Sequence, residues 1–267
     1  RITMLAVGLP GLVLAVLAKL LVKEPPRGHS EAKTVSVAAQ AAESPTAKET
    51  FTFLWRTRTF RALCIASAAD AFVGYGLLIW LPTYLIRSFE LSGSEVGPRL
   101  GLLVGVAGLI GTLGSGYLAD KLGTRNKRYY CWIPAIAACI ALVANLAVYT
   151  SSSLNSIYLL LIIPMIMLPA SGAPVYAAVQ SIAPLRMRAT ATAVLLLVVN
   201  LVGLGFGPTF IGAMSDFLAS TYGADSLRLA MLSIVSVYIG SATAAFIASR
   251  CFVADLDRVG KSGTHGY

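Results

Sequence analysis

The sequence predicts an all-α membrane protein with seven transmembrane helices, and three observations carry that prediction. Apolar runs long enough to cross a bilayer core of about 30 Å, which takes ~20 residues each, recur along the chain. Of the 267 residues, 57% are hydrophobic and only 12% charged, against roughly 25% charged in a soluble domain. The cations fall in alternate connections between the runs, as they do where Lys and Arg hold short loops on the cytoplasmic side. The net charge of +9 is therefore better explained by orientation in a membrane than by nucleic-acid binding, which would gather cations on one face.

The first span is Ile2 to Val22, with Lys19 near enough to its end to snorkel. Lys23-Glu-Pro-Pro-Arg27-Gly28 stops it, because two prolines and three charges cannot continue an apolar helix. His29 to Thr50 is polar and aperiodic, the pattern of a linker, and His29 and His265 read as solvated. Phe51 to Arg61 mixes Phe, Trp55 and three arginines, which suits a short interfacial helix.

The second span, about Ala62 to Ile86, ends in the interface residues Trp80 and Tyr84 with Pro82 as a kink, and Arg87 to Arg99 is an outside loop. The third, Leu100 to Ala119, spaces Gly101, Gly105, Gly108, Thr112 and Ser115 along one face, where another helix can approach closely. The fourth is Tyr129 to Tyr149 and the fifth Ile157 to Ser181. Pro164, Pro169, Gly172 and Pro174 interrupt the fifth, and a broken helix is tolerated where it is buried or lines a watery cavity. Basic Arg186 and Arg188 precede the sixth, Ala189 to Met214; the acidic Asp216 to Asp225 is an outside loop; Leu227 to Ile247 is the seventh. The cations place the beginning of the chain outside and its tail, Arg250 to Tyr267, in the cytoplasm of a cell membrane, inner or plasma. Cys64, Cys131, Cys139 and Cys251 lack metal-ligand or disulfide spacing and read as buried small hydrophobes.

Between the third and fourth spans lies Gly116-Tyr-Leu-Ala-Asp120-Lys121-Leu-Gly123-Thr-Arg125-Asn-Lys127-Arg128. The pattern G-x-x-x-D-[K/R]-x-G-x-[R/K] resembles the signature loop of the major facilitator superfamily of secondary transporters. The order of features is similar to such a protein from its sixth helix onward. The likeness is greatest to the Spinster-like branch, through Gly8-Leu-Pro10-Gly11 with Glu24-Pro-Pro-Arg-Gly28, Gly74-Tyr75-Gly76 with Trp80-Leu-Pro82, and Asn200-Leu-Val-Gly203-Leu-Gly205-Phe-Gly207-Pro208 followed by Ser215-Asp216.

The resemblance implies two six-helix bundles with substrate between them and alternating access. Residues 1–22 would be the last helix of the N-terminal bundle, 23–61 the cytoplasmic central loop, 62–250 the C-terminal bundle and 251–267 a cytoplasmic tail. Its partners would be a small-molecule substrate, membrane lipids and its own N-terminal six-helix half. It implies a lipid-like or amphipathic substrate, often with proton symport, and no cofactor. The coupling charges of the family lie mainly in the other bundle, so none is carried over. The loop Asp, here Asp120, would latch helices together when the cytoplasmic side is closed.

Read from the residues, Asp120 at a helix C-terminus opposes that helix's own dipole and calls for Arg125 or the N-terminus of the sixth span as partner; alternatively the loop only sets topology. Asp70 is the one carboxylate inside a hydrophobic span, at a cost of ~2.5–3.5 kcal/mol when ionised. Flanked by Ser67 and Gly74 at i−3 and i+4, it should face the interior, either as proton acceptor or headgroup contact, or as a structural group pairing with a neighbour such as Asn200. Asn200, Tyr75, Tyr176, Asn145 and Gln180 are the further candidates for substrate or proton contact, each with packing as its alternative.

Three other readings compete. An enzyme would need a nucleophile and base, or a metal cluster, at membrane depth, and the spans contain no His. A structural or receptor-like subunit would not need the signature loop. A proton-coupled carrier of small organic anions would want an inward-facing cation near the centre of a span, which these spans lack.

Overall fold

The computed structural model describes residues 2–21 and 46–264, so His29, His265 and all but the last five residues of the expected linker lie outside the described residues, and those five, Thr46 to Thr50, cap and begin a helix instead of continuing the linker. Two compact units divide the chain, residues 1–44 and 45–267. In the first, α1 (Ile2–Leu21) is a single helix that carries Pro10 within it.

The second unit opens with α2 (Ala47–Arg56). A reciprocal capping box starts it: the Thr46 N–H donates to Glu49 Oε2 at 2.9 Å and the Glu49 N–H to Thr46 Oγ1 at 3.3 Å. Thr57, extended at φ −77° and ψ 112°, ends α2 and begins α3 (Arg58–Phe89). At 1.5 Å per residue the 32 residues of α3 reach about 48 Å, well beyond a bilayer core.

Only Glu90 to Ser92 separate α3 from α4 (Gly93–Gly123), so most of the expected loop Arg87 to Arg99 is helix. The Ser92 N–H and hydroxyl both donate to Glu95, at 3.0 and 2.7 Å. These bonds hold the Glu95 carboxyl below its ordinary range. The cap is therefore fully present above the ordinary glutamate range and is lost as pH falls through the lowered value.

The remaining elements are α5 (Tyr129–Thr150), α6 (Leu154–Ala170), α7 (Gly172–Ser181), α8 (Arg188–Asn200), α9 (Gly207–Tyr222), α10 (Ser226–Val235) and α11 (Val237–Thr264). The break expected in the fifth span falls at Ser171, between Pro169 and Pro174, while Pro164 is absorbed within α6. A single wide, π-type turn, Leu201–Phe206, joins α8 to α9, and Pro208 follows at the start of α9, where a missing N–H costs least.

Two boundaries are corrected. The acidic loop expected over Asp216 to Asp225 is helical to Tyr222 and turns only at Gly223–Asp225, where Gly223 has φ +51°. The expected tail continues α11 to Thr264, and Asp255 within it is buried at 5% exposure.

Five stretches among the described residues are long and apolar enough to cross a membrane, and the last of them, Leu185–Val259, folds back on itself through the α9–α10 contact. Helix α3 is the spine: α11, α8, the wide turn, α9 and α10 all pack on it. Helix α11 also packs on α5, α5 on α6, and α6 on α4. One core cluster gathers around Tyr84, Tyr149 and Tyr238, with the Tyr84 and Tyr149 rings edge to face at 5.5 Å. A second gathers around Leu54, Phe60, Leu63, Ile182 and Phe252. Cys64 and Cys131 are buried as expected, whereas Cys139 is exposed on α5.

Helices approach most closely where Cβ atoms are missing. A Cβ on Gly207 would collide with the Phe72 carbonyl oxygen of α3, and one on Gly111 with the Ile166 carbonyl oxygen of α6. The face of α4 that packs is thus Ala107, Gly111, Ser115 and Ala119, all buried. This corrects the expected packing face: Gly101, Gly105 and Gly108 have nothing within 4 Å of a Cβ built on them. The contrast is testable by thermal unfolding of the purified chain. Gly111→Ala is expected to destabilise by about 1–3 kcal/mol through overpacking. Gly101→Ala should be neutral or gain up to about 1 kcal/mol from helix propensity. Equal effects would refute this placement of the α4–α6 contact.

Candidate functional site

Asp70 sits on α3 at 8% exposure. Its Oδ2 is 2.7 Å from the Ser171 hydroxyl, which also lies 3.1 Å from the Leu168 carbonyl of its own helix. A hydroxyl has one proton, and the shorter contact to a carboxylate is the stronger bond. Ser171 is the residue at which α6 gives way to α7, so the bond ties the spine to the break in the interrupted helix. Pro174 has no N–H and Pro169 none either, so the carbonyls one turn before each lose their helical partners. The backbone at the break is consequently polar and incompletely paired within its own helix, which suits a cavity wall.

A cavity of about 310 Å³ opens at this junction. Asp70, Tyr75 and Ser67 from α3, Tyr176 from α7 and Ser171 supply its polar lining, and Met165, Leu168, Val175, Leu195 and Val199 most of its apolar wall. Among the described residues that line it, Asp70 is the one carboxylate and no Lys or Arg is present. The arrangement is a mostly apolar chamber with one acidic group against one wall and two phenols, able to hold an amphipathic molecule and to exchange a proton with it or with water.

Of the candidates named from the sequence, Asp70, Tyr75 and Tyr176 converge on this cavity. The others do not. Asn200 is exposed and donates to the Leu196 carbonyl of its own helix at 2.8 Å, so the pairing of Asp70 with Asn200 is replaced by the bond to Ser171. Asn145 is buried and likewise donates backward, to the Ala141 carbonyl at 2.8 Å. Gln180 is exposed near the end of α7. Sequence reasoning missed Ser171, although it is the hydroxyl residue of Pro169-Ala-Ser171-Gly172-Ala-Pro174, where the helix had to break. A group of three or more His, Cys, Asp or Glu able to hold a metal is absent among the described residues.

In the signature loop a Cβ on Gly123 would come within 2.7 Å of the Tyr130 ring, which explains the glycine there; Gly116 has open space around it. Lys121 Nζ lies 5.5 Å from the centroid of the Tyr117 ring. Asp120 is exposed, and among the described residues it forms no ion pair with Arg125. Arg186 lies in the short turn before α8, and Arg188 at the start of α8 donates from Nε to the Ala183 carbonyl at 3.4 Å.

The profile of the Major Facilitator Superfamily matches residues 1–208. The chain belongs to this superfamily. It is 32% identical over 185 residues to an MFS-type efflux pump of Mycolicibacterium smegmatis, covering 68% of this chain and 43% of the pump. It is 28% identical over 217 residues to Protein spinster of Drosophila melanogaster, covering 76% of this chain and 34% of that one. Among solved structures it superimposes on a bacterial homolog of the human lysosomal transporter Spinster, inward-facing and unoccupied, with a TM-score of 0.75 and 29% identity, over 96% of this chain and 60% of that one. The inward-facing, occupied structure of such a homolog gives 0.66 at 29% identity, over 94% and 57%. The chain thus spans less than half the length of these curated relatives. It is a multi-pass membrane protein of the transporter superfamily, similar to the Spinster proteins.

The tie between α3 and the broken helix generates a prediction. Ser171→Ala removes the donor and is expected to cost about 1 kcal/mol, within the range of side-chain hydrogen bonds between membrane helices. Asp70→Asn keeps an acceptor and should cost less. Thermal unfolding of both variants in detergent checks this; a Ser171→Ala chain as stable as the parent would show that the bond does not hold the junction.

Proposed function

We propose that this chain is one bundle, with the helix preceding it, of a secondary transporter working by alternating access, and that it moves a lipid-like or amphipathic small molecule with proton coupling. The buried Asp70 bonded to Ser171, in a cavity whose described lining holds no Lys or Arg, is the observation that carries this reading. An apolar chamber favours an apolar body, and one carboxylate beside phenols favours a proton or a cationic headgroup over an anion. The likeness to Spinster proteins and to an efflux pump supports a transport role. The activity then belongs to a carrier of two bundles, with this chain's surfaces meeting an N-terminal six-helix half.

The runner-up, a proton-coupled symporter of small organic anions, would need a cation supplied from that other half; a structural or receptor-like subunit explains neither cavity nor broken helix. We place the chain in the cell membrane with its C-terminus cytoplasmic, because Lys121, Arg125, Lys127, Arg128, Arg186 and Arg188 cluster in connections on one side of the sequence-derived topology. Asp120 in its exposed position acts in the cytoplasmically closed state, latching the signature loop to a helix terminus. Its lack of an ion pair with Arg125 here fits a contact made in one state only.

Two substitutions in a two-bundle carrier containing this chain test these assignments. Asp70→Asn should lower proton-driven transport by about 5–150-fold, the range of a 1–3 kcal/mol coupling, and flatten its pH dependence with expression intact; wild-type pH dependence and affinity in a folded variant reject the coupling role. Asp120→Asn should raise the labelling of engineered cysteines on the cytoplasmic side without impairing insertion. Unchanged labelling together with unchanged transport would leave the loop with topology alone.

A further inference from the structure

A second cavity lies apart from the one beside Asp70. It is a groove of about 650 Å³ at the end of the bundle where α3 begins, between α2 and the last turns of α11. Lys48, Glu49, Phe53 and Arg56 line one side, Asp255 and Arg258 the other.

Both acids there are committed to backbone. Glu49 closes the capping box of α2 with Thr46. Asp255 Oδ2 accepts from the Thr59 N–H at 3.0 Å and the Thr59 hydroxyl at 2.8 Å, which fastens the carboxylate to the first turn of α3. Arg258 Nη1 touches the same carboxylate through its other oxygen, at 3.3 Å, while its side chain is 77% exposed. Three cations therefore face a groove whose two anions already accept from helix-terminal donors. Arg58 and Arg61, both exposed, extend the basic surface along α3.

The position of α2 indicates what brings the anion. One residue, Thr57, separates α2 from the membrane-crossing α3. Leu54 pins α2 to the core at 1% exposure. On its free flank Phe51 and Trp55, 49% and 53% exposed, stack at 5.7 Å between centroids. Exposed aromatic pairs of this kind sit at headgroup level, and on the helix surface this pair borders the row Lys48, Thr52, Arg56.

We infer that this groove is a binding site for the phosphate-bearing headgroup of an anionic phospholipid from the adjoining leaflet, held by Lys48, Arg56 and Arg258. A zwitterionic headgroup would bring its own ammonium into a cationic groove, and a soluble phosphate would make no use of the aromatic flank. The site is distinct from the Asp70 cavity and does not depend on what the protein transports.

The test uses the whole chain in detergent. Phosphatidylglycerol and phosphatidylcholine are titrated separately, and bound lipid is counted by native mass spectrometry alongside the melting temperature. Phosphatidylglycerol is expected to remain bound and raise the melting temperature, and phosphatidylcholine to do neither. The double variant Lys48→Gln, Arg56→Gln spares Arg258 and its contact with Asp255. Near a membrane surface each cation adds about fivefold in affinity for anionic lipid, so the variant, which lacks two, should bind phosphatidylglycerol about thirtyfold more weakly. A second variant, Lys127→Gln, Arg128→Gln, removes two cations from the signature loop and should bind as the parent does. Equal losses in both variants, equal retention of phosphatidylcholine, or displacement of the lipid by millimolar inorganic phosphate would each overturn the proposal.

Discussion

In a bilayer two helices gain little by burying apolar side chains against each other, because lipid is as apolar as leucine; what they gain comes from close packing and from polar groups that find partners. The whole bundle depends on that constraint at α3. Gly207 lets the start of α9 lie against the Phe72 carbonyl, and Gly76 sits against the backbone of Gly207, so two helix backbones meet with almost no side chain between them. The wide turn Leu201–Phe206 immediately precedes this contact and sets the register in which α9 arrives. Trp80 then donates from Nε1 to the Pro208 carbonyl at 2.8 Å, which satisfies an acceptor near the break from outside its own helix.

The polar ties of α3 follow the same logic along its length. At its beginning, Asp255 of α11 satisfies the orphan donor of Thr59. Further on, Ser241 of α11 donates to the Ala66 carbonyl at 2.9 Å. One turn beyond, Ser171 reaches Asp70. These ties join α3 to α11 and to the broken helix, and the last of them also forms the wall of a cavity. A group that serves both packing and a chamber is one whose state can be felt by the helices around it, so a carboxylate at this junction suits the proposed carrier, which would have to change shape.

Much of this was legible in the sequence, and the parts that were not share a cause. The apolar runs, the sparse charge and the signature loop were enough for the all-α membrane fold, because each is a local property of the chain. Asp70 stood out as the one acid in a span, and its small neighbours Ser67 and Gly74 pointed it inward, where the structure places it. The break in the helix after Pro169 was equally local. What pairs with what was not legible. Ser171 and Asp70 are 101 positions apart and Thr59 and Asp255 are 196 apart, and nothing in either neighbourhood names the other. Asn200 misled because a mid-span amide must find a partner, yet the Leu196 carbonyl one turn back is partner enough. Glycine spacing on α4 failed similarly: Gly101, Gly105, Gly108 and Gly111 look alike in sequence, and only the arrival of α6 at Gly111 distinguishes them.

That unequal use of α4 bears on how the Asp70 cavity is closed. Val104 and Gly108 of α4 line the cavity, while Gly101 and Gly105 on the same helix meet nothing within 4 Å of a built Cβ. Elsewhere on α4 several exposed positions are large: Leu102, Leu109 and Leu113 are 71%, 62% and 64% exposed, as expected of side chains in contact with acyl chains. Lipid places no premium on glycine, which costs up to about 1 kcal/mol of helix propensity at each position. Small exposed positions next to a cavity are consistent with close approach of a protein surface from outside this unit. A chain that covers less than half the length of its relatives and carries an acidic group in a chamber walled on one side by such a helix fits the proposed two-bundle carrier. On that view the Asp70–Ser171 tie is the fixed wall, and the surface beyond Gly101 and Gly105 is where the moving wall would arrive.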